Sequence, residues 1–236
     1  MAITRADEGA DEGFCFYQNF IPKHSIHNGF DAHHFRVIKD ACRLNTIKEN
    51  YQLPDQFLLW IGQIYPPKNF GRLLRAFAQV KDQIPHQLVI AGEERWRAKR
   101  DLDLVESLGL QDRLYFAGWV SHDDLPAFYN LADLFVFPSL YEGFGIPLLE
   151  AMACGCPILT AKVGTPPEVV KEAACLVNPR DVADIARGMQ AVLSNVALQE
   201  TMIEKGLKRV QSFSWKKCAA QTLVVLESLQ DTGSKV

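Results

Sequence analysis

Six short, continuously apolar runs recur along the chain at intervals that a helix can fill, and this alternation limits the fold more than any other feature. They are "FLLWIG" (57–62), "QLVIAG" (87–92), "RLYFAGWV" (113–120), "LFVFPS" (134–139), "PILTA" (157–161) and "ACLVNP" (174–179). None alternates apolar with polar residues, as a strand wetted on one face would; each reads as a strand covered on both faces. Between the first two, "NFGRLLRAFAQVKDQI" (69–84) sets Phe70, Leu73, Leu74, Phe77 and Val80 on one helical stripe. "LDLVESLGL" (102–110) reads as a helix end stopped near Gly109. "SHDDLPAFYNLAD" (121–133) predicts a short helix with Ser121 as N-cap and Asp124 in the capping-box position. "DVADIARGMQAVLSN", "LQETMIEKGLKRVQ" and a terminal "SWKKCAAQTLVVLESLQ" (214–230), with Ser214 as N-cap, complete the helices. Strands and helices joined by short connections predict an α/β fold, an open parallel sheet of about six strands with helices on both faces.

Sheets of this kind take ligands at the carboxyl ends of their strands, so the loops after 61, 91, 117 and 137 are where chemistry is expected. The most telling is "PSLYEGFGIPLLEAMACGCP" (138–157). Gly143 and Gly145 predict a sharp turn with permissive backbone and room for close approach. Pro147 predicts the first turn of a helix, where a missing N–H does no harm. The N–H groups and positive dipole end of that helix then point out of the sheet edge, a site suited to phosphate. Glu142 and Glu150 flank it. Partly turn and partly helix, their separation is on the order of 10–12 Å, comparable to the span from a sugar across a diphosphate to a ribose. Spacing alone equally admits a solvent-facing Glu142 and a capping or surface-paired Glu150.

Composition removes other classes. A net charge of -3 supplies no basic field for nucleic acid or a membrane surface. No apolar run approaches the ~20 residues of a membrane helix, and "MAITRADEGADEGF" has no hydrophobic signal core, so a cytoplasmic setting is expected. Six cysteines without a C-x-x-C pair do not read as a disulfide framework. Cys154 and Cys156, around Gly155 and before Pro157, read as a helix end rather than a metal site. "HSIHNGFDAHHF" (24–35) carries His24, His27, His33 and His34; with the turn signal Asn28-Gly29 it reads as a connecting segment. "DLDL" (101–104) spells D-x-D but falls in a predicted helix and reads as surface charge. No metal ligand set is assigned.

The stretch "FPSLYEGFGIPLLEAMACGCPILTAKVGTPPEVV" closely resembles the C-terminal nucleotide-sugar domain of retaining GT-B glycosyltransferases, family 4 in particular, whose two-glutamate motif is matched by Glu142 and Glu150. "LLWIGQIYPPKNFGRLLRAF", "LVIAGE", "LYFAGWVSHDDLPAFYNLADLFVFPS" and "HNGFDAHHF" match in the same order, covering about residues 26 to 230. The resemblance implies a Rossmann-like domain over 26–230 with a crossing terminal helix, a lead-in over 1–25 and a tail over 231–236. It implies that Glu142 and Lys68 are catalytic, Glu142 holding the transferred sugar and Lys68 neutralising the leaving phosphate. Gly62 and Gln63 would lie on the first phosphate loop, and the base near Val120. Backbone N–H groups around Gly143, Phe144, Gly145 and Ile146 would meet the diphosphate, and Glu150 the ribose hydroxyls. The substrate would be a nucleotide-diphosphate sugar, with no cofactor and no metal.

The family commonly carries an arginine where this chain has Gln63 or Pro67; loss of one diphosphate cation weakens charge-assisted bonding, and Arg72 or Arg95 are the residues placed to compensate. At 236 residues the chain accommodates the donor side and a lead-in. The partner this implies is an N-terminal GT-B domain, in cis or in trans, through which any peripheral membrane contact would be made. An unpaired face of the terminal helix could instead support a homodimer. Other readings are a non-catalytic nucleotide-sugar-binding module and a related GT-B-like enzyme such as a nucleotide-sugar epimerase.

Overall fold

The computed structural model describes residues 25–92 and 99–233, with backbone only for 99–102 and 229–233. The expected lead-in up to residue 24, His24, Cys15 and Arg95 lie outside the described residues.

Each apolar run forms a strand: β1 (Phe57–Ile61), β2 (Gln87–Ala91), β3 (Leu114–Gly118), β4 (Leu134–Phe137), β5 (Ile158–Ala161) and β6 (Cys175–Val177). All pair in parallel, in the spatial order β3-β2-β1-β4-β5-β6. The expected Rossmann-like architecture is therefore what the chain forms. Successive strands step outward from β1 to β3, and the chain then returns to pair β4 against the other side of β1. That reversal is the point where open α/β sheets leave a crevice.

Strands buried on both faces divide their side chains between two cores. Phe57 and Leu59 of β1, with Phe135 and Phe137 of β4, face one core; Leu58 and Trp60, with Leu134 and Val136, face the other. Alternation of neighbouring side chains across the pleat requires this division. The helices are α1 (Ala41–Asn50), α2 (Phe70–Val80), α3 (Lys99–Ser107), α4 (Leu125–Leu131), α5 (Ile146–Ala153), α6 (Pro166–Val170), α7 (Val182–Leu193), α8 (Val196–Val210) and α9 (Trp215–Gly233). α2 buries Phe70, Leu73, Leu74, Ala76, Phe77 and Val80, the expected stripe. Each large apolar side chain so buried contributes about 1.5–3 kcal/mol.

Two local expectations are corrected. Ser121 Oγ accepts from the N–H of Asp124, as a cap would, but residues 122–124 form a turn and α4 starts only at Leu125, with Pro126 in its first turn. Asn28-Gly29 makes no turn; Asp31 does, its side chain accepting from the N–H groups of His33 and His34. Gly29 meets a different need: a Cβ there would lie 2.0 Å from the backbone N of Trp215, so the segment crosses the start of α9 backbone to backbone. In addition, α1 and α6 had no counterpart in the sequence reading; α1 is the longer. Asp40 caps it, and Ile47 is its buried residue.

Candidate functional site

The reversal between β1 and β4 brings their two following loops side by side. Gly62 continues the ladder beyond β1, its N–H bonded to the carbonyl of Ala91 at 3.0 Å. Pro66, Pro67 and Lys68 then form one 3-10 turn, and Asn69 follows in the left-handed conformation (φ 61°) as the cap of α2. From the other strand, Pro138 leads to Leu140, whose N–H donates to the carbonyl of Pro67 at 2.7 Å. The Asn69 amide donates to the carbonyls of Pro138 (2.9 Å) and Pro179 (2.6 Å). Across this seam Lys68 Nζ donates to Glu142 Oε1 at 2.7 Å, the two side chains only 13% and 11% exposed. The ammonium also stands over the Phe137 ring, 4.5 Å from its centre. Buried to this extent, the pair has lost most of its water, and removing one partner would leave a costly charge behind.

The structure thus joins the two residues that the sequence reading gave separate ligand contacts, and Glu142 is not solvent-facing. Its backbone is held too: buried Thr165 donates its hydroxyl to the carbonyl of Glu142 at 2.8 Å. Gly62 lies against the lysine, since a Cβ there would be 3.7 Å from Lys68 Cε. Gln63 is exposed next to it. Arg72 donates to Asn69 Oδ1 at 3.1 Å and so braces this loop.

At the start of α5, Gly145 carries the left-handed backbone (φ 90°) and Pro147 occupies the first turn, as expected. Gly143 has no such requirement; its φ is not positive, it is exposed, and a side chain there would meet nothing within 4 Å. Among the described residues the N–H groups of Gly143, Phe144, Gly145 and Ile146 donate to no protein acceptor; Gly145 and Ile146 open the helix, and Gly143 and Phe144 precede it. The Phe144 side chain turns inward, packing on His27 and Phe213 at ring separations of 5.9 and 6.0 Å. It anchors the loop; Phe144 and Gly145 are buried, while Gly143 is exposed.

Glu150 is neither a cap nor a surface ion pair. Tyr129 of α4 donates to its Oε2 at 2.9 Å, and burial pushes its carboxyl up to about 7, against the opposing pull of that hydrogen bond and of His34. His34 stacks on His122 with ring centres 4.4 Å apart and bonds its backbone carbonyl at 2.5 Å. Past β3, Gly118 is left-handed (φ 69°), Trp119 is 69% exposed and Val120 packs partly into the core.

Other candidates resolve locally. Cys154 and Cys156 are buried around left-handed Gly155, and burial pushes the Cys154 thiol up to about 12 and the Cys156 thiol higher still. His27 pairs with Glu168 at 2.6 Å. "DLDL" lies within α3, with Asp103 exposed. Among the described residues no helix is long and apolar enough to cross a membrane.

Sequence reasoning missed Gly92. A Cβ there would fall 2.0 Å from the carbonyl oxygen of Gly62, so the loops after β1 and β2 touch through their backbones. The glycine ending each apolar run was the available signal. It also missed Asn69, Thr165 and Tyr129, whose partners lie far away in sequence.

The family described as glycosyl transferases group 1 matches residues 45–209. The serotype-specific mannosyltransferase WbdA of Escherichia coli is 38% identical over 208 residues, 84% of this chain and 25% of that protein. The chain spans a quarter to about half the length of the first curated relatives it matches. Among solved structures, sucrose-phosphate synthase from Thermosynechococcus elongatus superimposes with a TM-score of 0.74 at 30% identity, over 88% of this chain and 52% of that one. The C-terminal domain of a glycosyl transferase group 1 family protein from Francisella tularensis does so with a TM-score of 0.68 at 25% identity, over 78% and 97%.

Proposed function

Because the chain belongs to the family of glycosyl transferases group 1, we propose that it forms the donor side of a retaining glycosyltransferase and binds a nucleotide-diphosphate sugar at the β1–β4 reversal. The observation that carries this reading is the Lys68–Glu142 pair beside the unpartnered amides that open α5. A cation and a helix N-terminus together suit a diphosphate, and a carboxylate next to them suits sugar hydroxyls. As the bond from the sugar to the diphosphate breaks, its electron pair goes to the phosphate oxygen. Lys68 and the amides of 143–146 stand where that charge develops and supply stabilisation without a metal. Glu150 takes the ribose hydroxyls and the 118–120 backbone faces the base. The mannosyltransferase relative makes mannose the first sugar to test.

The Francisella structure, a C-terminal domain matched over nearly its whole length, supports the assignment to this half of the enzyme. The acceptor is then supplied by another domain, in cis or in trans, and the exposed apolar residues of α9 (Trp215, Leu223, Val224, Leu226) are the surface for it. A second copy of the chain can cover the same surface when that domain is absent. A cytoplasmic setting agrees with the free thiols at Cys42, Cys154, Cys156, Cys175 and Cys218.

Calorimetric titration of the chain with UDP, GDP and ADP, and with the matching mannose nucleotide, tests the reading. One nucleotide binding in preference, without transfer or hydrolysis of the sugar, is expected. Binding of none overturns the donor-side reading, and sugar transfer by the chain alone overturns the need for a second domain.

A further inference from the structure

The residue after Lys68 spends its whole side chain on holding loops together. Asn69 is 4% exposed. Its amide nitrogen donates both hydrogens, to the carbonyls of Pro138 and Pro179 where β4 and β6 end, and its Oδ1 accepts from Arg72. Two carbonyl partners fix the amide's orientation, since only the NH₂ end can meet both. The backbone at 69 is left-handed, a conformation that asparagine tolerates better than most residues. The chain therefore kinks immediately after Lys68, and the kink is pinned to the end of β4, whose following loop carries Glu142.

We propose that Asn69 is a positioning residue that sets where the Lys68 ammonium stands relative to Glu142 and the opening of α5. The proposal rests on the donor-side reading for its function. A lysine is a point charge on a four-carbon stem, and rotamer freedom disperses it unless its backbone is fixed. Here the stem starts from a turn stiffened by Pro66 and Pro67, latched by the Leu140 N–H to Pro67 bond, and closed by Asn69. The Thr165 bond fixes the Glu142 backbone on the other side of the seam. The tie to Pro179 adds a third strand end, so the cation is referenced to β1, β4 and β6 together.

Asn69→Gly separates the contributions, because glycine adopts the left-handed backbone without steric strain and removes the side-chain ties. The first measurement needs no nucleotide. The full chain is acetylated, and the rate at Lys68 is read by peptide mass spectrometry against Lys81, which lies beyond the far end of α2. Asn69→Gly is expected to raise Lys68 labelling severalfold relative to Lys81; an unchanged ratio overturns the proposal. The second is titration with the nucleoside diphosphate that the wild-type chain binds. Asn69→Gly should weaken binding about tenfold in the wild-type background and within about twofold in a Lys68→Met background, where there is no ammonium left to aim. Equal losses in both backgrounds would mean that Asn69 acts only on general stability, and that overturns the proposal. Should Asn69→Gly not fold, Asn69→Asp keeps the shape, turns a carboxylate toward two carbonyl oxygens, and is read the same way. A wild-type chain that binds no nucleoside diphosphate defeats the donor-side reading, while the labelling ratio still decides whether Asn69 holds Lys68.

Discussion

A carboxylate that neutralises its own neighbouring cation sets a specific condition on binding. With Lys68 engaged by Glu142 at 2.7 Å, the diphosphate of the proposed ligand would compete with Glu142 for the ammonium. Removing the carboxylate should therefore leave free nucleotide binding at least as tight as in the wild type, whereas the sugar nucleotide loses about tenfold, one charge-assisted bond. Titration of Glu142→Gln with both ligands checks this; equal weakening of both would contradict it. Glu150 gives a prediction in pH. Its carboxyl is raised from 4.5 to about 7, so between those values the folded chain holds a proton that the unfolded chain has released. Stability must fall as pH rises through this window, by roughly 3 kcal/mol in all. Urea denaturation at pH 5 and 8 should show a larger drop for the wild type than for Glu150→Gln. On the proposed donor-side assignment nucleotide affinity moves the other way, since an ionised Glu150 would be the better acceptor for ribose hydroxyls. It should climb from pH 6 to 8 in the wild type relative to Glu150→Gln.

At the scale of elements, the loops behind the strands are controlled by close backbone approach. Gly92→Ala would drive a Cβ against the carbonyl of Gly62 and should cost about 2 kcal/mol or more, with the Lys68 loop displaced. Gly143→Ala, in open space, should stay within about 0.5 kcal/mol; chemical denaturation of the two variants compares them directly. The contrast shows what the sequence could reveal. Strands such as "LFVF" were legible because burial on both faces leaves an unbroken apolar run, and α2 was legible because six of its residues face the core. α1 was not, because Ile47 is its buried residue and no stripe forms. Asn28-Gly29 has turn chemistry, but Gly29 is used for clearance under α9. In the site, the glycine turn into α5 could be read locally. The Lys68–Glu142 pair and the ties from Asn69, Thr165 and Tyr129 could not, because only the reversal of strand order brings those partners together.

At the scale of the molecule, the sheet's carboxyl edge gathers the Lys68–Glu142 pair and the start of α5, while apolar residues of α9 remain exposed. Trp215, Leu223, Val224 and Leu226 are each at least 50% exposed. The isolated chain should self-associate through this face, and Leu223→Glu should shift it toward monomer in sedimentation velocity without altering nucleotide affinity. An unchanged sedimentation profile would place any association elsewhere. Gly29 adds a mechanical consequence. Its segment lies directly on the first backbone atoms of α9, so two stretches of chain far apart in sequence cross at one spot. Displacing the start of α9 must therefore also move the segment around Gly29.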